Sequence, residues 1–514
     1  MQGKKKLLFI SFLAIFVVLG LYIGKSIFFK NTFGNRSLCK DCNILLISLD
    51  TCGAKHMSTY GYERDTTPNF SKLADEGILF EHAYANATWS LPAHVSMFTG
   101  LYSFAHNVIQ PYDSLLSESL PFLPELLQKN GYDTYFFAPH DEAIFSDTRV
   151  YTKGISYWDP DYWKYREREV EYLSLAINQI KKNNTFNKKS FVFLHSNMCH
   201  SPYFIEDEPL LYTEKKFSWL PLKVKDVFDA PFTPEYYQYL LRRLPVGLAD
   251  GDFRRNPEKI ETLLHELKNA PDFQTAKRVY ENAETNGYWS EVGMDDYKEK
   301  FEYWNKIDSN NSELVTYLEA LYDQKLHKAD TDLLGYLREQ IQNETWKNNT
   351  IIIVTSGHGE EFMEHGAIGH TTLYDVNAKI PLVFLVPRMQ SIRVMDNVQQ
   401  VDLTPTLLDL IGVSYKGQFN GVSLTKVMQG DPLPNRVLIA GGDILFRPDL
   451  TTVREGNWKL FISERDDSLL PYALYNIVDD PEEQHDVLKE QMGKAALMIQ
   501  KFKIEKEKEL QFEK

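Results

Sequence analysis

Residues 43–49, NILLISL, form an apolar run that stops at Asp50. Apolar on successive residues rather than alternate ones, such a run buries both faces, which is the mark of an inner parallel strand. Comparable runs recur at 135–138, 191–194, 350–354, 382–386 and 437–440, with helical stretches between them such as 71–76 and 121–130. Strands alternating with helices predict an α/β fold, a doubly wound mixed sheet flanked by helices. Sheets of this kind bind ligands beyond the carboxyl ends of their strands. Asp50, segment 195–200 and segment 356–358 all fall just past strand ends, so topology groups them before any chemistry is considered.

Residues 204–312 break the rhythm. They are rich in aromatic and charged residues, helical at 257–270, and hold no strong strand, which predicts a helical insertion. Residues 314–342 read as one long amphipathic helix leading back into the strand at 350. Past 435, short runs at 451–453, 458–462 and 473–476 predict a small antiparallel C-terminal sheet subdomain over 436–487, followed by a charged helical tail at 488–514. The catalytic domain then spans 43–435.

The N-terminus carries a different signal. Residues 7–24 contain no charge, and at ~1.5 Å per residue they span roughly 27 Å, enough for a bilayer core. Lys4, Lys5 and Lys6 precede the run, which keeps the N-terminus in the cytoplasm. No small-x-small cleavage site follows, so the segment is predicted to be a transmembrane signal-anchor rather than a cleaved signal peptide. Residues 1–6 become a cytoplasmic tail, 25–42 a linker, and the rest an extracytoplasmic domain, periplasmic or extracellular. Cys39 and Cys42 lie in that linker. A zinc site needs about four ligands and no second pair is present, so they read as a local disulfide or two idle thiols. The chain has 56 Lys+Arg against 71 Asp+Glu and no basic block. That excludes a nucleic-acid partner and leaves ample material for a metal site.

The segment Trp89-Ser90-Leu91-Pro92-Ala93-His94, running on to Thr99-Gly100, brings in a resemblance. Together with Asp50-Thr51, Tyr60-Gly61-Tyr62, Thr66-Thr67-Pro68-Asn69 and Leu73-Ala74 it resembles the N-terminal signature of the sulfatase family, in the alkaline-phosphatase-like superfamily. The likeness continues through His358-Gly359-Glu360-Glu361, His365-Gly366, residues 401–409, Trp458-Lys459-Leu460 and Asp480-Pro481-Glu482-Glu483. It implies a hydrolase of sulfate or phosphate esters acting on a glycan, lipid or small molecule. Ser90 takes the place of the nucleophile, beside a divalent cation (calcium, magnesium, manganese or zinc) that lowers the hydroxyl pKa. Asp50, Ser90 and His358 match metal positions. Ser90, His94 and His200 form the implied catalytic set, with His365, His370, Glu360 and Glu361 as further contacts to substrate or ligands.

The resemblance also locates departures. Sulfatases oxidise the nucleophile to formylglycine, in a motif with arginine four residues on; this chain has His94, which favours the unmodified serine. The family's second metal carboxylate is replaced by Gly357. Gly53, Lys55 and Met198 stand where it usually places charged residues. The mismatches cluster at charged positions near the expected ion, whereas the scaffold motifs match. Two alternatives therefore stand beside the hydrolase: a phospho-headgroup transferase of the same superfamily, and a catalytically impaired binding protein that keeps the fold.

Overall fold

The computed structural model describes residues 38–508, apart from 110–115, 139–152, 159–168, 206–207, 229, 251–256, 286–293, 344, 442–448 and 466–467. The apolar run at 7–24 lies outside these residues. Among the described residues no helix is long and apolar enough to cross a membrane.

The strands are β1 (Asn43–Leu49), β2 (Ile78–Tyr84), β3 (Tyr132–Phe137), β4 (Tyr157–Trp158), β5 (Lys189–Ser196), β6 (Thr350–Thr355), β7 (Glu361–Phe362), β8 (Ile368–Gly369), β9 (Lys379–Ile380), β10 (Leu382–Leu385) and β11 (Ile392–Gln399). All but the β7–β8 hairpin join one sheet in the order β11-β2-β10-β6-β1-β5-β3-β4, with β9 beside β2. β1 runs parallel to β5 and β6, and β10 enters antiparallel between β6 and β2. The sheet is mixed, as predicted.

The two-residue period of β1 assigns its side chains to opposite faces. Ile44 and Leu46 enter a core with Val95, Phe98 and Leu407. Leu45, Ile47 and Leu49 enter another with Phe70, Leu173 and Leu318. Helices Ser90–Thr99 and Leu403–Ile411 cover the first face; Pro68–Glu76, Glu169–Thr185 and Ser312–Lys328 cover the second. Every residue of β1 is buried, which is why its sequence lacks alternation.

Some elements differ from expectation. β2 (ILFEHAY) and β11 (IRVMDNVQ) escaped notice because both carry charged residues. Glu81 and His82 are only half-buried, and β11 is an edge strand with Arg393 and Met395 facing solvent. The run at 437–440 belongs to the second sheet, not the first. That sheet is ordered β12 (Leu438–Gly441), β13 (Leu450–Glu455), β14 (Trp458–Arg465), β15 (Ser468–Asn476), all antiparallel. Ile439 packs with Met498 and Phe502 of the helix Met492–Lys506, while Ala440 packs with Phe461 and Tyr475. Burial on both faces gave this strand the apolar look of an inner parallel one. The long helix expected at 314–342 is interrupted by a π-helical turn at Ala329–Leu334. The wider turn brings Asp330 under the helix Pro68–Glu76, where its carboxylate accepts the N–H groups of Asn69 and Phe70 at 2.7 Å each. It thereby caps a helix start that has no side-chain cap of its own.

Residues 204–312 hold the helices Val224–Phe228, Pro234–Asp250, Pro257–Lys268, Phe273–Thr285 and Met294–Glu302. Phe232, Tyr236, Leu240, Leu263, Leu267 and Tyr280 give the middle three helices a core of their own, while Val227 of the first packs in the main core. Buried charge joins the C-terminal sheet to the large one. Asp375 receives Arg454 and Lys459, and Lys459 also reaches Glu483 at 2.8 Å. Arg436 grips Asp402 with both terminal nitrogens. The motifs at 402, 459 and 483 are thus the two ends of cross-links between sheets.

Candidate active site

Three adjacent strands, β5, β1 and β6, deliver their C-terminal ends to one place. Asp50 follows β1 and is fully buried. Its backbone N–H donates to the Ser196 carbonyl at 2.8 Å, which holds it to the end of β5. Thr51 then takes a positive φ of 57° and turns the chain away. Ser90 opens the helix Ser90–Thr99 after the extended Trp89, so its hydroxyl sits at a helix N-terminus, where unpaired N–H groups and the dipole favour an anion.

Ser90 Oγ lies 3.1 and 3.0 Å from the two oxygens of Asp50 and 3.2 Å from His358 Nε2. His358 Nδ1 donates to the Gly359 carbonyl at 2.9 Å, so Nε2 presents a lone pair. The single Ser90 proton therefore faces two acceptors, the Asp50 carboxylate and the His358 nitrogen. His195 Nε2 approaches the other side of Asp50 at 3.8 Å, against 3.7 Å for His358.

His94 occupies a structural position one turn along the helix. Its Nδ1 donates to the Ser90 carbonyl at 2.7 Å, and its Nε2 meets the Ser48 hydroxyl at 2.9 Å. Its ring packs on His195 with centroids 4.8 Å apart. His200 and His370 are half-buried, lie 5.5 Å apart ring to ring, and form the mouth. His200 Nδ1 donates to the Ser201 carbonyl at 2.6 Å, and His370 Nδ1 to Glu360 at 3.2 Å. His370 also packs on His358 at 4.4 Å. Glu360 thus belongs to the site through His370. His365 and Glu361 stand apart from it. His365 stacks on Tyr374 at 3.5 Å, and Glu361 accepts from Thr372 and the His365 backbone to brace the β7–β8 hairpin.

Burial drives the protonation states. It pushes His195 and His358 down to about 3, so both are neutral at pH 7. Burial would raise Asp50, but the four imidazoles of His195, His358, His200 and His94 outweigh it and hold the carboxyl below its usual range. Among the described residues, the ion pairs of Asp50 are with histidines alone, and no lysine or arginine joins them. The result is an ionised, buried carboxylate compensated only by neutral rings. Such a group fits a cation. One carboxylate, a serine oxygen and two imidazole nitrogens suit an ion that accepts nitrogen, as zinc does, better than calcium, which takes six to eight oxygens. Asp50, Ser90 and His358 would hold it, with His195 adjacent.

Another group of metal-type side chains, His56, Glu319 and Asp323, closes to within 4.8 Å. Arg64 already sits on Asp323 at 2.5 Å and His56 at 2.9 Å, so a resident cation neutralises that carboxylate.

The departures have structural reasons. A Cβ at Gly357 would lie 3.0 Å from Asp50 Oδ1 and 3.1 Å from His94 Cε1. Position 357 is therefore where a second carboxylate would meet Asp50, and the His94 ring now fills part of that space. A Cβ at Gly53 would come within 3.0 Å of the Gly359 backbone. Met198 is buried in the core with Tyr203 and Phe204, and Lys55 pairs with Glu482 at 2.5 Å.

Sequence reasoning missed four contributors. The sequence groups His195 with Asp50 as part of segment 195–200 but gives it no role of its own; β5 runs two residues further than expected and carries it to Asp50. Ser48 and Gln400 act only through tertiary contacts; Gln400 donates to the carbonyls of Ser356 and Gly357 at 2.9 and 2.7 Å. The fourth is a disulfide between Cys52 and Cys199. Its signal was that each cysteine lies within two residues of a site residue. Cys39 and Cys42 pair as well, which resolves the linker alternatives in favour of the local disulfide.

Comparison with known proteins agrees with this geometry. The chain is 23% identical over 427 residues to the N-acetylglucosamine-6-O-sulfatase of Bacteroides thetaiotaomicron, covering 76% of this chain and 71% of that protein. It is 22% identical over 463 residues to arylsulfatase K of Gallus gallus, covering 87% and 78%. The crystal structure of a phosphonate monoester hydrolase of Agrobacterium radiobacter superposes with a TM-score of 0.57 at 17% identity, over 90% of this chain and 96% of that one. The sulfatase family generally uses a divalent cation, and its sequence model matches residues 42–413: the chain belongs to the sulfatase family.

Proposed function

We propose that this protein is a membrane-anchored, outward-facing sulfatase-family hydrolase that cleaves a sulfate ester of a glycan, with unmodified Ser90 as nucleophile. The observation that carries the reading is Ser90 Oγ within 3.2 Å of both an ionised carboxylate and an imidazole lone pair. When bound, a divalent cation held by Asp50, Ser90 and His358 lowers the hydroxyl pKa and offsets the charge of Asp50. The chain's own groups do the rest. The Asp50 oxygen that faces Ser90 without holding the cation takes the one Ser90 proton as Oγ attacks sulfur, with His358 fixing the position of the hydroxyl. The start of the helix Ser90–Thr99 receives the anionic ester. The sulfur–oxygen bond breaks as His370, which Glu360 holds toward its protonated form, gives its Nε2 proton to the leaving alcohol oxygen, with the His200 ring, 5.5 Å from that of His370, flanking the ester; the water that follows returns a proton to His370. Water then displaces sulfate from Ser90 and restores the hydroxyl.

The glycan assignment rests on the relative named for N-acetylglucosamine-6-O-sulfate. The outward orientation rests on the Lys4–Lys6 flank of the apolar run, and all four cysteines being paired suits an oxidising compartment. The test is sulfate release from 6-O-sulfated N-acetylglucosamine by the metal-loaded full chain and by Ser90→Ala, with mass spectrometry of the Ser90 peptide. Release by the native protein alone, with an unmodified serine, is the expected result. A peptide lighter by two hydrogens would replace serine with formylglycine. No turnover of sulfate or phosphate esters would leave the binding-protein alternative standing.

A further inference from the structure

The Cys52–Cys199 disulfide sits where two catalytic loops begin. β1 and β5 are neighbouring parallel strands, with Ser48 opposite His195 and Leu49 opposite Ser196. Beyond the bond from Asp50 N to Ser196 O the two chains separate. Cys52 lies three residues past Leu49, and Cys199 three past Ser196. The matching offsets bring their Cα atoms to 5.8 Å, and the bridge joins positions 147 residues apart. Both cysteines are buried, at 0% and 1% exposure.

The neighbours of the bridge are the groups that matter. Asp50 is two residues before Cys52, and His200 directly follows Cys199. On the far side of His200 the chain runs through Pro202 into the 204–312 insertion, whose base (Phe204, Ile205, Leu220, Val227 and Tyr303) packs in the main core with Cys52 and Cys199, while its helices Pro234–Asp250, Pro257–Lys268 and Phe273–Thr285 share a separate core. The His200 loop is therefore the foot of a large appendage. The backbone is held on both sides of it: His200 N–H donates to Asn197 O at 3.0 Å and Asn197 N–H to Glu169 at 2.9 Å, while Ile205 N–H donates to Leu222 O at 2.7 Å. The bridge is the covalent link between this stretch and the Asp50 loop. With it, His200 is tied to the Asp50 loop, which is itself held by Tyr322, whose hydroxyl bonds Thr51 O at 2.7 Å and Gly53 N at 3.0 Å.

We infer that the Cys52–Cys199 disulfide is a positioning clamp, which fixes the His200 imidazole relative to Asp50 and Ser90 and thereby sets how well the site holds its ester anion. Groups that must meet a substrate within a fraction of an ångström need such support from the shell behind them. The inference rests on the hydrolase reading for its kinetic consequence but not for its structural one, so the two are tested separately.

The experiment compares the full-length native protein with Cys52→Ala/Cys199→Ala and with Cys39→Ser/Cys42→Ser, which removes the disulfide outside the site. Hydrogen exchange of amides 197–203 is expected to quicken about tenfold or more in the first variant and to stay unchanged in the second. KM for the sulfate ester is expected to rise about tenfold in the first variant alone, with kcat within about threefold of native. If the alanine pair fails to fold, the same measurements are made on the Cys39→Ser/Cys42→Ser protein under mild phosphine reduction, which then opens the Cys52–Cys199 bridge alone, before unfolding sets in. Unchanged exchange at 197–203, or quickened exchange with unchanged KM, overturns the clamp. If even the native protein hydrolyses no ester, the hydrolase reading fails. The clamp is then judged by exchange together with the affinity for inorganic sulfate, which should weaken about tenfold in the first variant and not in the second.

Discussion

Asp50 and Asp375 are both buried carboxylates, and they are treated in opposite ways. Asp375 is met by Arg454 and Lys459, with Lys459 shared with Glu483. Permanent cations neutralise it, and it ties β13 and β14 to the main sheet. Asp50 is met by Ser90 and by imidazoles that burial keeps neutral. One carboxylate is spent on the scaffold; the other is left for chemistry. A buried charge without a fixed partner is costly, and proteins tolerate that cost mainly where function needs it.

Removing each carboxylate should separate the two roles. Asp50→Asn is expected to cut turnover at least about a thousandfold while leaving the melting temperature unchanged or raised. Asp375→Asn should do the reverse. It strands Arg454 and leaves Lys459 with Glu483 alone, costing about 3–5 kcal/mol, with activity per folded molecule retained. Thermal melts and rates on both variants check this, and an Asp50→Asn protein as unstable as Asp375→Asn would erase the distinction.

Gly357→Asp sharpens the comparison by returning a second carboxylate beside Asp50. Its Cβ would stand 3.0 Å from Asp50 Oδ1 and 3.1 Å from His94, so the metal-free variant should lose about 1–3 kcal/mol to crowding and like charge. His94→Ala/Gly357→Asp makes room and should recover part of that loss. It should also show a calcium-dependent rise in melting temperature that the native protein lacks. Equal calcium shifts in native and double-variant protein would mean that the site does not discriminate by donor type.

Acid gives the smallest expected effect. Burial lowers His106, His195 and His358 to about 3 and His365 to about 4. Each takes up a proton more readily when unfolded, so its contribution is complete above pH ~6.5 and is lost as pH falls toward those values. Asp50 acts in the same direction at lower pH. His56 and His370 act oppositely, because Asp323 and Glu360 outweigh burial and raise them, and so do the carboxyls that burial raises, Asp330 to about 6 and Glu319, Glu361 and Glu483 upward. The lowered group dominates, so the melting temperature should decline steadily from pH 7 to pH 4.5, measured by calorimetry. A flat profile would show that the histidines around Asp50 are solvated.

The sequence determined the inner strands of the sheet and the grouping of Asp50 with His358, because both are written locally, whereas Ser90 entered through the resemblance to the sulfatase family. A strand buried on both faces must be apolar throughout, and the residue that ends it must stand at the sheet's edge. The motifs that hold Asp402, Lys459 and Glu483 were legible through their order and spacing in the resemblance to the sulfatase family. The tertiary structure alone decided what each polar group near the site does. Whether His94 faces substrate or braces Ser48 and Ser90, whether His365 joins His370 or stacks on Tyr374, and whether Cys52 finds Cys199 depend on contacts between strands far apart in the chain. The gap at Gly357 shows the same division. Its absent carboxylate is visible in the sequence, but its consequence is set by the ring of His94 and by the neutral histidines that surround one remaining charge.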